Sequence, residues 1–337
     1  MKKICKLLIL ALFTSSAFAA VPEQIAGTIK VDGSSTVYPI TEAVAEEFGK
    51  VQTGVKITVG ISGTGGGFKK FCSGEIDVSD ASRPIKPTEV EQCAKNNVAY
   101  IELPIAFDAL SVVVNKKNDW VQSLTISELK KIWEPEAQGK ILTWNQIRPE
   151  WPNKPIKLYG PGTDSGTYDY FTEAVMGKED SSRGDYTSSE DDNTLVQGVA
   201  NDTGALGFFG LAYYSENADK LKLIPIDDEK DANGKGPQMA SVENVRKGHY
   251  QPLSRPLFIY INKAGLSKPE IKEFASFYLK SVLQLSEEVG YVQLPEKVLK
   301  LAQGRLDSGT PGSVFAAGHS QVGAALEDLL SPKAKGS

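Results

Sequence analysis

The chain has 337 residues, with 37 Lys plus Arg against 42 Asp plus Glu, a formal charge of −5 at pH 7 and two histidines. This acidic balance excludes a nucleic-acid binder, which needs a basic footprint. It leaves room for a small anion, because backbone N–H groups at helix starts hold oxyanions without net positive charge.

The opening MKKICKLLILALFTSSAFAA has a basic start (Lys2, Lys3, Lys6), an apolar core from Leu7 to Phe13, and small residues at Ala17 and Ala19. That is a secretory signal peptide over residues 1–20, too short to remain as a membrane span. Cys5 precedes the apolar core, where no lipid-attachment cysteine would stand. The mature chain is therefore expected to be free, soluble and exported. Cleavage removes three lysines and no acid, taking the charge from −5 to −8. Roughly 315 mature residues exceed what one core holds, which predicts two lobes. Cys72 and Cys93 remain in an oxidising compartment, with no C-x-x-C and too few histidines for a metal centre. They are expected to form a structural disulfide, and no cofactor is expected.

Strand and helix signals then alternate. Thr28 to Asp32 reads as a strand, GSST opens a helix, and Ile40, Ala43, Val44 and Phe48 share that helix's apolar face. Val55, Ile57, Val59 and Ile61 alternate as a second strand, followed by a glycine turn and a helix around Phe68 and Phe71. Ile76 to Ser79 is a third strand. This β-α-β-α-β succession predicts an α/β fold with mixed, mostly parallel sheets flanked by helices. A similar unit recurs: Pro155 to Tyr159 is strand-like, GPGTDSGT is a turn, and a helix starts at Tyr168. Gly177 to Asp192 reads as an exposed loop. Ala205 to Gly210, Leu221 to Ile226 and Pro256 to Ile261 are further strands, and Pro269 to Leu285 is an amphipathic helix. The apolar strands Ala109 to Asn115 and Arg255 to Asn262 suit two crossings between lobes. One lobe would then be 21–108 plus 262–337 and the other 109–261, with hinge strands near 107–112 and 255–262 and a cleft between.

Three segments place hydroxyls and glycines where a strand gives way to a helix: Gly33-Ser34-Ser35-Thr36, Ser62-Gly63-Thr64-Gly65-Gly66-Gly67, and Thr163-Asp164-Ser165-Gly166-Thr167. Helix starts offer unpartnered N–H groups and a positive dipole end, hydroxyls add adjustable donors, and glycine lets backbone approach an oxyanion. Each segment alone could be an ordinary cap or turn. The middle one is not a phosphate-binding Walker loop, and GTDSGT does not meet G-x-S-x-G. At the end of the third strand, Asp77-Val78-Ser79-Asp80-Ala81-Ser82-Arg83-Pro84 puts Asp80 and Arg83 near the glycine turn. Arg83 could grip two oxygens of an anion, and Asp80 could accept a proton that phosphate carries and sulfate lacks. A surface ion pair between the two is the plain alternative.

Together VDGSSTVYPITEAVAEEF, GISGTGGGF, SDASRPI, GPGTDSGTYDYFTEAV and SEDDNTLVQGVA resemble the periplasmic phosphate-binding proteins of the high-affinity phosphate ABC transporter, the PstS-like group. The resemblance covers most of the mature chain, with the five segments in the family's order. It implies a two-lobed venus-flytrap fold with one phosphate in the interlobe cleft and delivery to membrane permease subunits by a monomer. Ser35, Thr36 and Val37 would contribute from the first helix and Ser62 or Thr64 from the glycine turn. Asp80 would accept phosphate's proton, and Ser165, Gly166 and Thr167 would donate from the opposite lobe. One departure is that the arginine many members place before SGT is Pro161 here, leaving Arg83 as the expected cation. Another oxyanion such as sulfate or molybdate is the alternative ligand. A secreted phosphatase is disfavoured because no histidine neighbours a proposed hydroxyl nucleophile.

Overall fold

A computed structural model describes residues 24–163, 165–189, 191–315 and 326–330. The signal peptide expected over 1–20 and Asp164 lie outside the described residues. The order begins β1 (Ala26–Gly33), α1 (Tyr38–Val51), β2 (Gly54–Ile61), α2 (Gly63–Cys72), β3 (Val78–Ala81) and α3 (Pro87–Lys95). The long β4 (Tyr100–Asn115) leads to β5 (Leu124–Thr125), α4 (Ile126–Trp133), β6 (Lys157–Gly160) and α5 (Gly166–Met176). Next come β7 (Thr187–Ser188), α6 (Asp192–Asn201), β8 (Ala205–Gly210), α7 (Leu211–Glu216), β9 (Leu221–Leu223), β10 (Ile226–Asp227) and α8 (Val242–Arg246). β11 (Ser254–Asn262), α9 (Pro269–Glu288), β12 (Val292–Gln293), α10 (Glu296–Asp307) and α11 (Leu326–Leu330) complete it.

Two lobes share β4. Its first part, Tyr100 to Ala109, runs antiparallel to β11, beyond which β3, β1 and β2 follow. Its second part, Leu110 to Val114, runs antiparallel to β8, which continues to β6 and β7. Pairing is parallel in the two flanks, β2-β1-β3 and β8-β6-β7, and antiparallel where the chain crosses. All of β4 is buried, which explains why its sequence is an apolar run rather than an alternation. Pro104 pairs with Phe258 beside a register shift that skips Ile105, the kind of bulge at which a strand tolerates proline. Packed rings fill each lobe: Phe48 with Phe274 in one, and Trp133, Phe171 and Phe208 in the other.

Three readings change. The residues expected as a glycine turn, Gly63 to Gly67, are the first turns of α2. Glycine is needed there for packing: a Cβ on Gly67 would lie 2.6 Å from the Cα of Gly33, so α2 can press onto β1. The expected strand Leu221 to Ile226 is broken into β9 and β10 at Pro225. Within the segment expected as an exposed loop, Arg183 is only 3% exposed. It donates to the carbonyls of Ile132 and Ile141 and pairs with Asp185, so its charge organises the end of α4 instead of facing water.

Cys72 on α2 and Cys93 on α3 are bonded, across a separation of 21 residues. Reduction is expected to lower unfolding free energy by about 3 kcal/mol through the freed loop. Urea unfolding with and without reductant measures this, and coincident midpoints would show that the cross-link contributes nothing.

Candidate functional site

Three helix starts converge on one cavity of about 330 Å³. At α1, the Tyr38 N–H donates to the Ser34 carbonyl at 3.0 Å, so the N–H groups of Ser35, Thr36 and Val37 form the first turn, ahead of the helix ladder. At α2, Ser62 follows β2 and its N–H is held by the Gly33 carbonyl at 3.1 Å, which aims the turn Gly63 to Gly65 at the same space. α5 arrives from the other lobe. A Cβ on its first residue, Gly166, would lie 2.3 Å from Thr36 Oγ1, 2.7 Å from Ser35 Oγ and 3.0 Å from the Thr36 nitrogen. The lobes therefore touch at the cavity, and a side chain at position 166 would have to displace the Thr36 and Ser35 hydroxyls.

Of the residues singled out in the sequence, Ser35, Thr36, Ser62, Thr64, Arg83 and Gly166 line this cavity. Val37 is buried in the core and is not on the cavity wall. The Ser62 hydroxyl donates to Asp32, which Lys70 also grips at 2.6 Å, so that proton is committed. Thr64 stays adjustable: its oxygen accepts the Ser82 N–H at 3.2 Å and shares a hydrogen bond with the Ser82 hydroxyl at 3.0 Å. One proton of that hydroxyl pair remains for a ligand. Ser165 takes the ordinary capping role, its Oγ accepting the Thr167 N–H at 3.2 Å, and neither residue lies on the cavity wall.

The cation differs from the expectation. Arg83 lies on the wall, but its guanidinium engages Glu89 through two bonds of 2.8 and 2.9 Å, with Pro84's carbonyl at 3.2 Å and the Phe68 ring at 5.6 Å. A carboxylate that holds both arms of the fork leaves little for a ligand. Arg255 occupies the central place instead. It is 9% exposed, lies 3.7 Å over the Tyr170 ring, and has its Nε 3.5 Å from Asp108. Its Nη2 reaches Thr36 Oγ1 at 3.3 Å and the Gly166 carbonyl at 3.5 Å, bridging the two helix starts. Burial raises the pKa of Asp108, and Arg255 opposes that rise. The signal in the sequence was an arginine opening the otherwise apolar strand SRPLFIYIN. Pro161 accepts a hydrogen bond from Tyr186 and supplies no charge, so Arg255 enters from a different strand.

Asp80 is behind the wall. It is fully buried, Oδ1 accepts from Thr41 at 3.0 Å, and no described residue bonds to Oδ2. A side chain with no surface open to a water-sized sphere cannot line a cavity that admits one. Ser82, two residues on, takes the place foreseen for Asp80. Burial pushes the Asp80 pKa up to about 8, with the Thr41 bond opposing and Asp32 adding to it. A carboxyl that holds its proton in the fold but loses it when unfolded makes stability fall as pH rises from its unfolded pKa to about 8. Asp80→Asn is expected to flatten that slope in urea midpoints measured from acid to mildly alkaline pH. Parallel slopes for variant and wild type would refute it. Two other carboxylates do line the cavity, Asp169 in the first turn of α5 and the exposed Glu179.

This geometry has relatives. The family model for the PBP superfamily domain matches residues 19–282. The protein SphX of Synechococcus elongatus is 54% identical over 308 residues, 91% of this chain and 89% of its own. The phosphate-binding protein PstS of Staphylococcus saprophyticus is 41% identical over 282 residues, 83% of this chain and 85% of its own. The crystal structure of a possible phosphate binding protein from Planctomyces limnophilus matches with a TM-score of 0.79 at 48% identity, over 85% of this chain and 100% of that one. With likeness of this degree over most of its length, the chain belongs to the PBP superfamily and, within it, to the PstS-like family.

Proposed function

We propose that this chain captures inorganic phosphate in the cleft between its lobes and hands it to the permease of an ABC transporter, with no bond made or broken. The observation that carries the reading is Arg255, whose Nη2 joins the start of α1 at Thr36 to the start of α5 at Gly166 across one cavity. Backbone N–H groups of Ser35, Thr36, Val37 and Gly166, the Thr64 and Ser82 hydroxyl pair, and Arg255 would surround a tetrahedral dianion with donors. Ser165 and Thr167 would hold the α5 turn in shape. The name of the Staphylococcus saprophyticus relative, a phosphate-binding protein, favours the same ligand.

The lobes in this reading are 21–108 plus 262–337 and 109–261. They rock about the crossing strands β4 and β11, near 107–112 and 255–262. PstS-like binding proteins work outside the cytoplasm. We place this one in the periplasm as a soluble monomer released from its signal peptide. Among the described residues no helix is long and apolar enough to cross a membrane.

Delivery is tested with proteoliposomes that carry the cognate permease. ATP-driven phosphate uptake is expected only when the mature chain is present on the binding-protein side, and uptake indifferent to it contradicts the carrier role. Turnover of a chromogenic phosphate ester by the pure chain would favour a phosphatase instead.

A further inference from the structure

The carbonyl of Thr36 does not take the helix bond expected of it. Ile40, whose N–H would reach it in a regular α-helix, donates to the Val37 carbonyl at 3.0 Å instead. The Thr36 carbonyl accepts from the Tyr291 hydroxyl at 2.6 Å, across 255 residues of sequence. That carbonyl and the Val37 N–H belong to one planar trans peptide unit and point in opposite directions. Whatever holds the oxygen therefore sets the direction of the N–H, which the reading above counts among phosphate's donors. Turned over, the same unit would offer the anion an acceptor in place of a donor.

Tyr291 stands in a turn that several parts of the molecule grip. It follows α9, and the next two residues, Val292 and Gln293, pair as β12 with Phe107 and Ala106 of β4. Facing the turn is chain that lies between the two crossing strands. Arg246 of α8 donates through Nε to the Gln293 carbonyl at 2.9 Å and through Nη2 to Gln293 Oε1 at 3.3 Å. A Cβ on Gly290 would lie 3.0 Å from the Cβ of Ala212 in α7. A second cavity of about 240 Å³ lies among them, lined by Leu211, Ala212 and Arg246 on one side and Gly290, Tyr291 and Gln293 on the other. One short turn thus meets α7 and α8 through its backbone and the start of α1 through a phenol.

We infer that Tyr291 is a positioning residue of the phosphate site, whose hydroxyl fixes the Thr36–Val37 peptide in its donating setting and ties that setting to the meeting of the lobes. The assignment rests on the phosphate reading above. Closure brings α7 and α8 against the turn, and the turn holds Tyr291 on Thr36. Lobe separation withdraws Arg246 and Ala212, which frees the turn to shift and the peptide to relax, so the ligand is released from a loosened helix start. The phenol is suited to this as a constant donor. Burial and then Asp108 raise its pKa, with Arg255 opposing, so it keeps its proton wherever phosphate is captured.

The test titrates ligand-stripped mature wild type, Tyr291→Phe, Arg246→Ala and the double variant with phosphate, and records amide NMR spectra of each with phosphate bound. Removing the hydroxyl while keeping the ring is expected to weaken phosphate binding about 3- to 10-fold and to shift the Val37 amide resonance. Arg246 is exposed and off the phosphate cavity. Its replacement is expected to weaken binding about 2- to 4-fold in wild type and to have no effect in Tyr291→Phe. Tyr291→Phe that binds like wild type, or binds weakly with the Val37 amide unmoved, overturns the positioning role. Effects that add in the double variant overturn the tie to the lobes. Should Tyr291→Phe not fold, Arg246→Ala decides alone, and unchanged affinity with an unmoved Val37 amide overturns the assignment. All of these leave phosphate capture standing, whereas wild type that ignores phosphate removes that reading and this assignment with it.

Discussion

Arg255→Lys is expected to weaken phosphate binding by about 10- to 100-fold while the protein still folds. The guanidinium does three things at once: Nε faces Asp108, Nη2 reaches Thr36 and Gly166, and the plane lies over Tyr170. An ammonium is a point charge that cannot span those positions or stack in the same way. The lysine keeps a cation near Asp108, so the buried carboxylate stays compensated. Arg255→Ala would leave it uncompensated at a cost of about 3–5 kcal/mol, which confuses folding with binding. Calorimetry with phosphate, alongside a melting curve, separates the two. Lysine binding as tightly as arginine would show that the fork makes no ligand contact.

Gly166→Ala is expected to lower phosphate affinity by about 100-fold or more with no loss of thermal stability. The added Cβ would sit 3.0 Å from the Thr36 backbone nitrogen and closer still to two hydroxyl oxygens. The hydroxyls can rotate, but the backbone of the α1 start cannot yield without moving the lobe. Within α5 itself alanine is the better residue, by up to about 1 kcal/mol. The penalty therefore falls on closure alone. Small-angle scattering should show phosphate compacting the wild type and leaving Gly166→Ala unchanged. A variant that compacts and binds normally would show that the two helix starts need not touch.

Much of the fold was legible because its signals are local. The alternation at Val55, Ile57, Val59 and Ile61 and the apolar face of α1 depend on neighbours a few residues away. Buried crossing strands announce themselves as apolar runs, which marks β11 and the second part of β4; the first part, from Tyr100, carries the buried Glu102 and Asp108 and does not read as a strand. The helix starts at Ser35 and Gly166 were visible as hydroxyl and glycine clusters. What failed was side-chain direction. Asp80 and Ser82 differ by two residues, and the fold turns Asp80 toward Thr41 of α1 while Ser82, just past the end of β3, meets the cavity. Arg255 is 219 residues from Thr36, and no local pattern reports such a meeting. Arg83 reads as a free cation in the sequence because nothing local shows that Glu89, six residues on, turns back to clamp it. Arg183 hides for a related reason: charge in a polar segment looks solvated until the helix end it satisfies is known.

Equilibrium dialysis of the refolded, ligand-stripped mature chain against labelled phosphate, with sulfate in large excess, tests phosphate capture most directly. Phosphate capture by the cleft predicts one phosphate retained per chain, undisturbed by sulfate and lost in Gly166→Ala. No retention by a cooperatively folded chain, or displacement by sulfate, would contradict it.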